Sequence, residues 1–347
     1  MGHAYQAVGW NRQKRIYDLT VASLLGTYLA GFVILGVILF PTATAETLLI
    51  RALGSAAFLL LHVILIIGPL HRLAPITAPL LYNRRHLGVT MFVVALAHAA
   101  FTTLQFHMLG PLNPMVSILS GGGAPEGSGT VPFQLFGFVA LVIIALMAAT
   151  SHDFWLARLS PGTWKKLHVA VYGAYVLLIG HVSFGIMQQP GSGVWFWFTL
   201  SGIILVGSVH AAAGLKGRAE GPAPDSSSAL ANEGFLRVCQ VDQIQEGRAK
   251  IFEMSGDRIA VFRHEGKLSA VSNTCRHQGG PLGEGRILNG NIVCPWHGYE
   301  YNPVSGCAPT PFTEKVPTFA VRILDGEVFV NPEPLAPGHA PQAAAII

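Results

Sequence analysis

Six stretches of this 347-residue chain approach or exceed the roughly 20 apolar residues that carry a helix across a bilayer. They lie at about residues 17 to 40, 47 to 70, 87 to 106, 132 to 151, 167 to 187 and 194 to 215. Lipid offers the backbone no water to bond, so each stretch closes its own hydrogen bonds as a helix. The chain is 51% hydrophobic and 12% charged, and the apolar residues crowd before about residue 215. Two domains in two solvents follow. The expected partition is a 1–16 cytoplasmic N-terminal segment, a 17–215 six-helix membrane domain lodged in the lipid bilayer, a 216–233 linker, a 234–332 domain and a 333–347 tail. The linker is rich in Gly, Ala, Pro, Asp and Ser, with Asp225-Ser226-Ser227-Ser228 at its centre, and reads as a flexible tether. The Pro- and Ala-rich tail reads as disordered.

Lys and Arg set the orientation. Arg12, Lys14 and Arg15 precede the first span, Arg72, Arg84 and Arg85 join the second to the third, Arg158, Lys165 and Lys166 join the fourth to the fifth, and Lys216 and Arg218 follow the sixth. The opposite connections carry none, and only Arg51 sits near that face. Both termini are therefore expected in the cytoplasm. Ala43-Thr44-Ala45 has the look of a signal-peptidase site, but the apolar run before it exceeds the about 7–15 residues of a signal sequence. The net charge of +4 falls largely in the cytoplasmic loops, which accounts for it without nucleic acid. The glycines from Gly121 to Gly129 make no phosphate loop, since they lack the strand, helix and Lys such a site needs.

In the C-terminal domain, Cys275-Arg276-His277 is followed, after sixteen intervening residues, by Cys294-Pro295-Trp296-His297. Two thiolates and two imidazoles in C-x-H and C-x-x-H pairs suit a 2Fe-2S centre in which two His replace two Cys on one iron. Neutral imidazole in place of anionic thiolate raises the potential well above that of an all-Cys cluster. Gly279, Gly280, Gly283, Gly285 and Gly298 permit tight loops, and Pro281 and Pro295 stiffen them. A structural zinc is the alternative for Cys2His2, although C-x-H spacing is unusual for a zinc finger.

Together with Ile259 to Phe262, Ala270 to Asn273 and the run from Cys294 to Tyr301, these residues resemble the Rieske ferredoxins that feed electrons to bacterial ring-hydroxylating oxygenases. The resemblance implies an all-β domain with Cys275, His277, Cys294 and His297 as cluster ligands. It also implies the lower-potential kind of cluster, because the loops hold no spare Cys for the disulfide of cytochrome bc Rieske proteins. Cys239 and Cys307 lie outside the loops and read as packed or idle thiols, in keeping with a reducing compartment.

Ionisable residues inside membrane spans default to functional roles. His86 and His98 are twelve residues apart in the third span, and His168 and His181 thirteen apart in the fifth. At 1.5 Å per residue these are separations of roughly 18 and 20 Å on helices that run the same way. His86 matches His168 in depth near the cytoplasm, and His98 matches His181 farther out. Helical phase is less tidy, because neither pair lies strictly on one face. The depths support two stacked bis-histidine haems. The segments from Arg84 to His98 and from Trp164 to His181 resemble the ferric-reductase-type transmembrane domain, which implies b haem held by His86, His98, His168 and His181. His62, in mid-span, reads as a packing residue before an alternative ligand or a hydrogen-bonding partner to a haem propionate or another helix, His71, His107, His152 and His210 as solvated near helix ends, and His264 as lacking a paired ligand.

The combined expectation is a bacterial inner-membrane oxidoreductase: a membrane all-α six-helix bundle plus a C-terminal all-β Rieske domain, passing single electrons between a cytoplasmic 2Fe-2S cluster and two transmembrane haem b groups. Relatives that oxidise NADPH carry a flavin and nucleotide domain where this chain has its Rieske region. A soluble cytoplasmic electron donor of the ferredoxin reductase-like kind and a periplasmic or membrane electron acceptor are thus expected, and no nucleic acid. The competing expectations are a quinol- or periplasm-fed flow in the opposite direction and a non-enzymatic redox sensor.

Overall fold

The computed structural model describes residues 12–74, 77, 80–81, 83–121, 132–151, 155, 161–189, 191–219, 233–255, 257–277, 279–296 and 298–346. Its first part is helical: α1 (Arg12–Leu39), α2 (Ala45–Leu73), α3 (Arg84–Phe106), the short α4 (Pro114–Ser120), α5 (Phe133–Thr150), α6 (Pro161–Val169), α7 (Val171–Phe184) and α8 (Gly193–Ala219). Six segments among these are long and apolar enough to cross a membrane, and they coincide with the six apolar stretches of the sequence. The fifth is composite, since Ala170 interrupts it between α6 and α7.

Burial ranks the helices. In α2 56% of the apolar window is covered by protein, against 6% in α1, so α2 is the axis of the bundle and α1 its lipid-facing rim. Small residues Ala52, Ser55, Ala56 and Ala57 are buried on α2, the composition that lets membrane helices approach closely. α2 packs against α1, α3 and α8, while α5 packs against α7. Thr44 caps α2 by accepting from the Thr47 N–H (3.3 Å). At the other end of α2, Lys216 Nζ donates to Arg72 O (2.9 Å), which ties the end of α8 to the same face.

The second part is all β, in three antiparallel sheets. One contains β1 (Leu236–Gln240), β10 (Glu327–Val330) and β9 (Val321–Leu324). A second orders β11 (Ala344–Ala345), β4 (Lys267–Ser272), β3 (Asp257–His264) and β2 (Ala249–Met254), with β8 (Thr318–Phe319) also on β4. The third, β5 (Arg286–Leu288), β6 (Asn291–Val293) and β7 (Glu300–Tyr301), carries the cysteine loops. Alternation along β3 and β4 buries Phe252, Ile259, Val261, Leu268 and Phe319 in one core and Phe262, Val271, Leu282 and Tyr301 in another.

Two boundaries differ from the sequence expectation. α8 continues through Ala219, because the Ala- and Gly-containing stretch after Leu215 still closes helical bonds, so the expected linker starts late; its remainder at 220–232 lies outside the described residues. The tail is not disordered at 333–346. Leu335 N–H bonds to Thr318 O (2.9 Å), Ala344 pairs with Leu268, and Ile346 N–H bonds to Gly266 O (2.9 Å). An open edge on β4 supplies partners that composition does not reveal. The glycine-rich connection at 122–131 and His152 also lie outside the described residues.

Candidate functional site

The two cysteine loops are copies of one another in backbone hydrogen bonding. Gly279 N–H donates to Cys275 O (2.7 Å) and Cys275 N–H to Gly280 O (2.8 Å). Gly298 N–H donates to Cys294 O (2.9 Å) and Cys294 N–H to Tyr299 O (2.8 Å). Each loop turns back four residues after its cysteine through a glycine at φ 73° or 70°, a conformation costly for any residue with a Cβ. Both thiols are 1% exposed. The closeness of the loops is tight enough that a methyl group on Gly280 would stand 2.8 Å from Cys294 Sγ.

Tyr301 OH accepts from Arg276 N–H (3.1 Å), which leaves its own proton for Cys275 Sγ at 3.4 Å. Burial, followed by the neighbouring Cys275, pushes the Tyr301 phenol well above its ordinary range and keeps it a donor. The His277 ring stacks on Tyr299, 4.8 Å between centroids and 11° between planes. His297 lies outside the described residues. No group of three or more His, Cys, Asp or Glu that could hold a metal ion occurs among the described residues. A centre with two thiolates on one iron and two imidazoles on the other needs no such group, so mirrored loops with buried sulfurs fit it.

Within the bundle, His98 on α3 and His181 on α7 face each other, ring centroids 6.4 Å apart and planes at 86°. His98 Nδ1 lies 3.0 Å from Ile50 O and His181 Nδ1 lies 2.9 Å from Phe133 O. A carbonyl only accepts, so each Nδ1 carries the proton and each Nε2 keeps its lone pair. Two metal–nitrogen bonds of about 2 Å plus the ring radii span the gap between the centroids. Clearance comes from glycines four residues beyond each carbonyl. A Cβ on Gly54 would meet His98 at 2.9 Å, and one on Gly137 would meet His181 at 2.8 Å. The α2–α3 and α5–α7 pairs therefore repeat one device, and it fits a metal between two imidazoles.

At the basic end of the bundle the arrangement is less symmetric. His86 Nδ1 donates to the Asp18 carboxylate of α1 (2.9 and 3.1 Å), again leaving Nε2. His168 lies 3.4 Å through Nε2 from Ser151 Oγ and borders a cavity of about 280 Å³ with Arg84, Gly88, Tyr172 and Trp296. Trp296 comes from the second cysteine loop, so the β domain meets the bundle here. Arg72 Nε pairs with Glu284 Oε1 (3.1 Å), and His71 Nε2 donates to Glu284 O (3.4 Å). His71, expected to be solvated, is 4% exposed because the β domain covers it.

Four other histidines among the described residues have hydrogen-bond partners within their own domain. His62 donates from Nδ1 to Phe58 O (2.7 Å) and accepts at Nε2 from Tyr175 OH of α7 (3.0 Å), so it is a hydrogen-bonding partner to another helix. His107 is also buried, not solvated, with Nδ1 2.8 Å from Ser117 Oγ. His210 bonds Val206 O and Tyr172 OH (2.9 and 3.1 Å), and His264 bonds Ser269 Oγ (2.9 Å). Sequence reading gave no role to Asp18, Gly54, Gly137, Tyr301 and Trp296. Trp296 and Tyr301 stand in the run that carries the resemblance, and Asp18 left a signal as an acid near the start of a membrane span.

A membrane bundle that opposes histidines, joined to a β domain that mirrors two cysteine loops, defines a membrane electron-transfer oxidoreductase. Residues 234–320 match the Rieske [2Fe-2S] domain family, and residues 53–179 match the ferric reductase like transmembrane component. Among relatives, ferredoxin CarAc of Metapseudomonas resinovorans is 32% identical over 104 residues, 29% of this chain and 97% of that protein. The ferredoxin component of the alkene monooxygenase system of Xanthobacter autotrophicus is 26% identical, over 29% of this chain and 84% of that one. Cholesterol 7-desaturase nvd 1 of Ciona intestinalis is 37% identical over 89 residues, but the match spans only 19% of its length. Among solved structures, the complex of reduced oxygenase and oxidized ferredoxin in carbazole 1,9a-dioxygenase aligns at 31% identity over 30% of this chain and 99% of that chain, with TM-score 0.28. The chain belongs to the Rieske family through its C-terminal domain and carries a ferric reductase-like transmembrane domain ahead of it.

Proposed function

We propose that this protein passes single electrons between a cytoplasmic Rieske cluster and b haem in the bundle, toward a periplasmic or membrane acceptor. The observation that carries this reading is the opposed pair His98 and His181, ring centroids 6.4 Å apart, each with Nδ1 bonded to a backbone carbonyl and Nε2 left with its lone pair. Both cofactors supply reversible one-electron chemistry when bound. Cys275 and Cys294 serve one iron of the cluster as thiolates, and His277 and His297 serve the other as neutral imidazoles. His98 and His181 would hold one haem, and His86 and His168 a second.

The chain's own work is orientation and tuning. Ile50 O, Phe133 O and Asp18 fix the tautomers of His98, His181 and His86, which makes each free nitrogen a better donor to metal. The Tyr301 hydroxyl, aimed at Cys275 Sγ, favours the electron-rich state of the cluster. Arg72, Arg84, Arg85, Lys166 and Lys216 gather at one end and Arg51 at the other, and by the positive-inside rule this supports a Rieske domain on the cytoplasmic side, which in our reading is that of a bacterial inner membrane. A soluble cytoplasmic donor of the ferredoxin reductase-like kind then loses one electron per event, and the acceptor on the far side gains one.

The test is an optical and EPR spectrum of the purified full chain with haem and iron counted, followed by stopped-flow reduction. A Soret band, a Rieske EPR signal and haem reduction that follows cluster reduction are expected. Material without a Soret band, or cofactors that titrate without exchanging electrons, overturns the reading.

A further inference from the structure

We propose that Trp296, with the Arg72–Glu284 pair around it, forms the seat that holds the cluster loops on the basic end of the bundle; this deepens the relay reading and rests on it. Trp296 is two residues from the ligand candidate Cys294, yet its indole packs against the apolar core of the bundle as well as that of its own domain. It borders the cavity that His168 lines. The ring lies close over Gly280, where a Cβ would stand 3.1 Å from indole Cγ and Cδ2, so the absence of a side chain there is what admits the indole.

The rim agrees with the centre. Glu284 follows the first cysteine loop and is held twice by the end of α2, through its side chain by Arg72 (3.1 Å) and through its carbonyl by His71 (3.4 Å). Arg72 is 51% exposed and Glu284 17%, so this pair sets register more than it supplies affinity. An aromatic anchor in an apolar pocket supplies affinity. Both cysteine loops thus touch the bundle, one through Trp296 and the other through Glu284. Trp296 acts as a positioning residue: one electron leaves one centre and enters the other with no bond made or broken, and the indole sets how closely the two domains stand.

The experiment uses the full-chain holoprotein in lipid nanodiscs and compares wild type with W296A, W296F, R72E and the charge swap R72E/E284R. Amide hydrogen exchange of residues 279–285 and 294–299 reports docking, and stopped-flow reduction reports cluster-to-haem exchange. In W296A and R72E we expect loop exchange to rise, and electron exchange to slow, by about tenfold or more, the effect of 1.4 kcal/mol of lost docking. The cluster EPR signal and haem bands should stay unchanged. W296F should recover most of the rate and R72E/E284R should restore both readouts. Wild-type loop protection and rate in R72E and W296A overturn the seat while the relay stands. Failure of wild type to bind haem or exchange electrons overturns the relay instead. Loop protection in wild type and its loss in R72E, a substitution remote from the cysteines, still decide the seat in that event.

Discussion

His98 and His181 stand with imidazole planes at 86° and centroids 6.4 Å apart, both protonated on the nitrogen that faces a backbone carbonyl. A ferric haem held by both imidazoles would give a low-spin EPR signal. Substitution H98A or H181A should abolish that signal and at least one low-spin optical band, with the cluster's EPR signal intact.

Gly54 and Gly137 leave the space that these rings occupy. A valine at either position forces the facing imidazole to move, an overpacking that costs roughly 1–3 kcal/mol. G54V and G137V should each lower haem retained per chain, measured as pyridine haemochrome, by about tenfold in affinity. Iron in the cluster should not change, because the Rieske domain lies at the opposite end of the bundle.

Tyr301 points its hydroxyl at Cys275 Sγ, 3.4 Å away. Y301F removes one hydrogen bond that is stronger in the reduced state. The cluster midpoint potential should fall by roughly 60 mV, the one-electron equivalent of about 1.4 kcal/mol. EPR-monitored redox titration reads the shift, and an unchanged potential would exclude the bond.

Cys239 is buried, and burial pushes its thiol up to about 11. Iodoacetamide applied at pH 8 to the folded holoprotein should label half-buried Cys307 and spare Cys239, read by peptide mass spectrometry. The raised value also has a sign for stability. The unfolded chain loses this proton first, so the contribution of Cys239 is complete below the ordinary thiol range and is lost as pH climbs to about 11.

Much of this molecule is local and therefore legible. Apolar run length alone marks the six spans, because lipid leaves a backbone no other partner. Cys275, His277, Cys294 and His297 announce a cluster by spacing, since one short loop presents each pair. Depth arithmetic brought His98 opposite His181, and the structure has them there. Helical phase is the weaker guide, and in the fifth span the turn at Ala170 between His168 and His181 breaks the 3.6-residue period as well.

Other features depend on partners distant in sequence. Asp18 meets His86 across 68 residues, Glu284 meets His71 across 213, and Gly54 matters only because His98 arrives beside it. The tail binds because β4 has an edge to offer. A chain read by itself specifies which solvent each segment needs and which side chains are able to hold iron. Tertiary packing decided which carbonyls orient the imidazoles, which glycines make way for them and where Trp296 touches the bundle, because each of these is a contact between surfaces that exist only once both elements have folded.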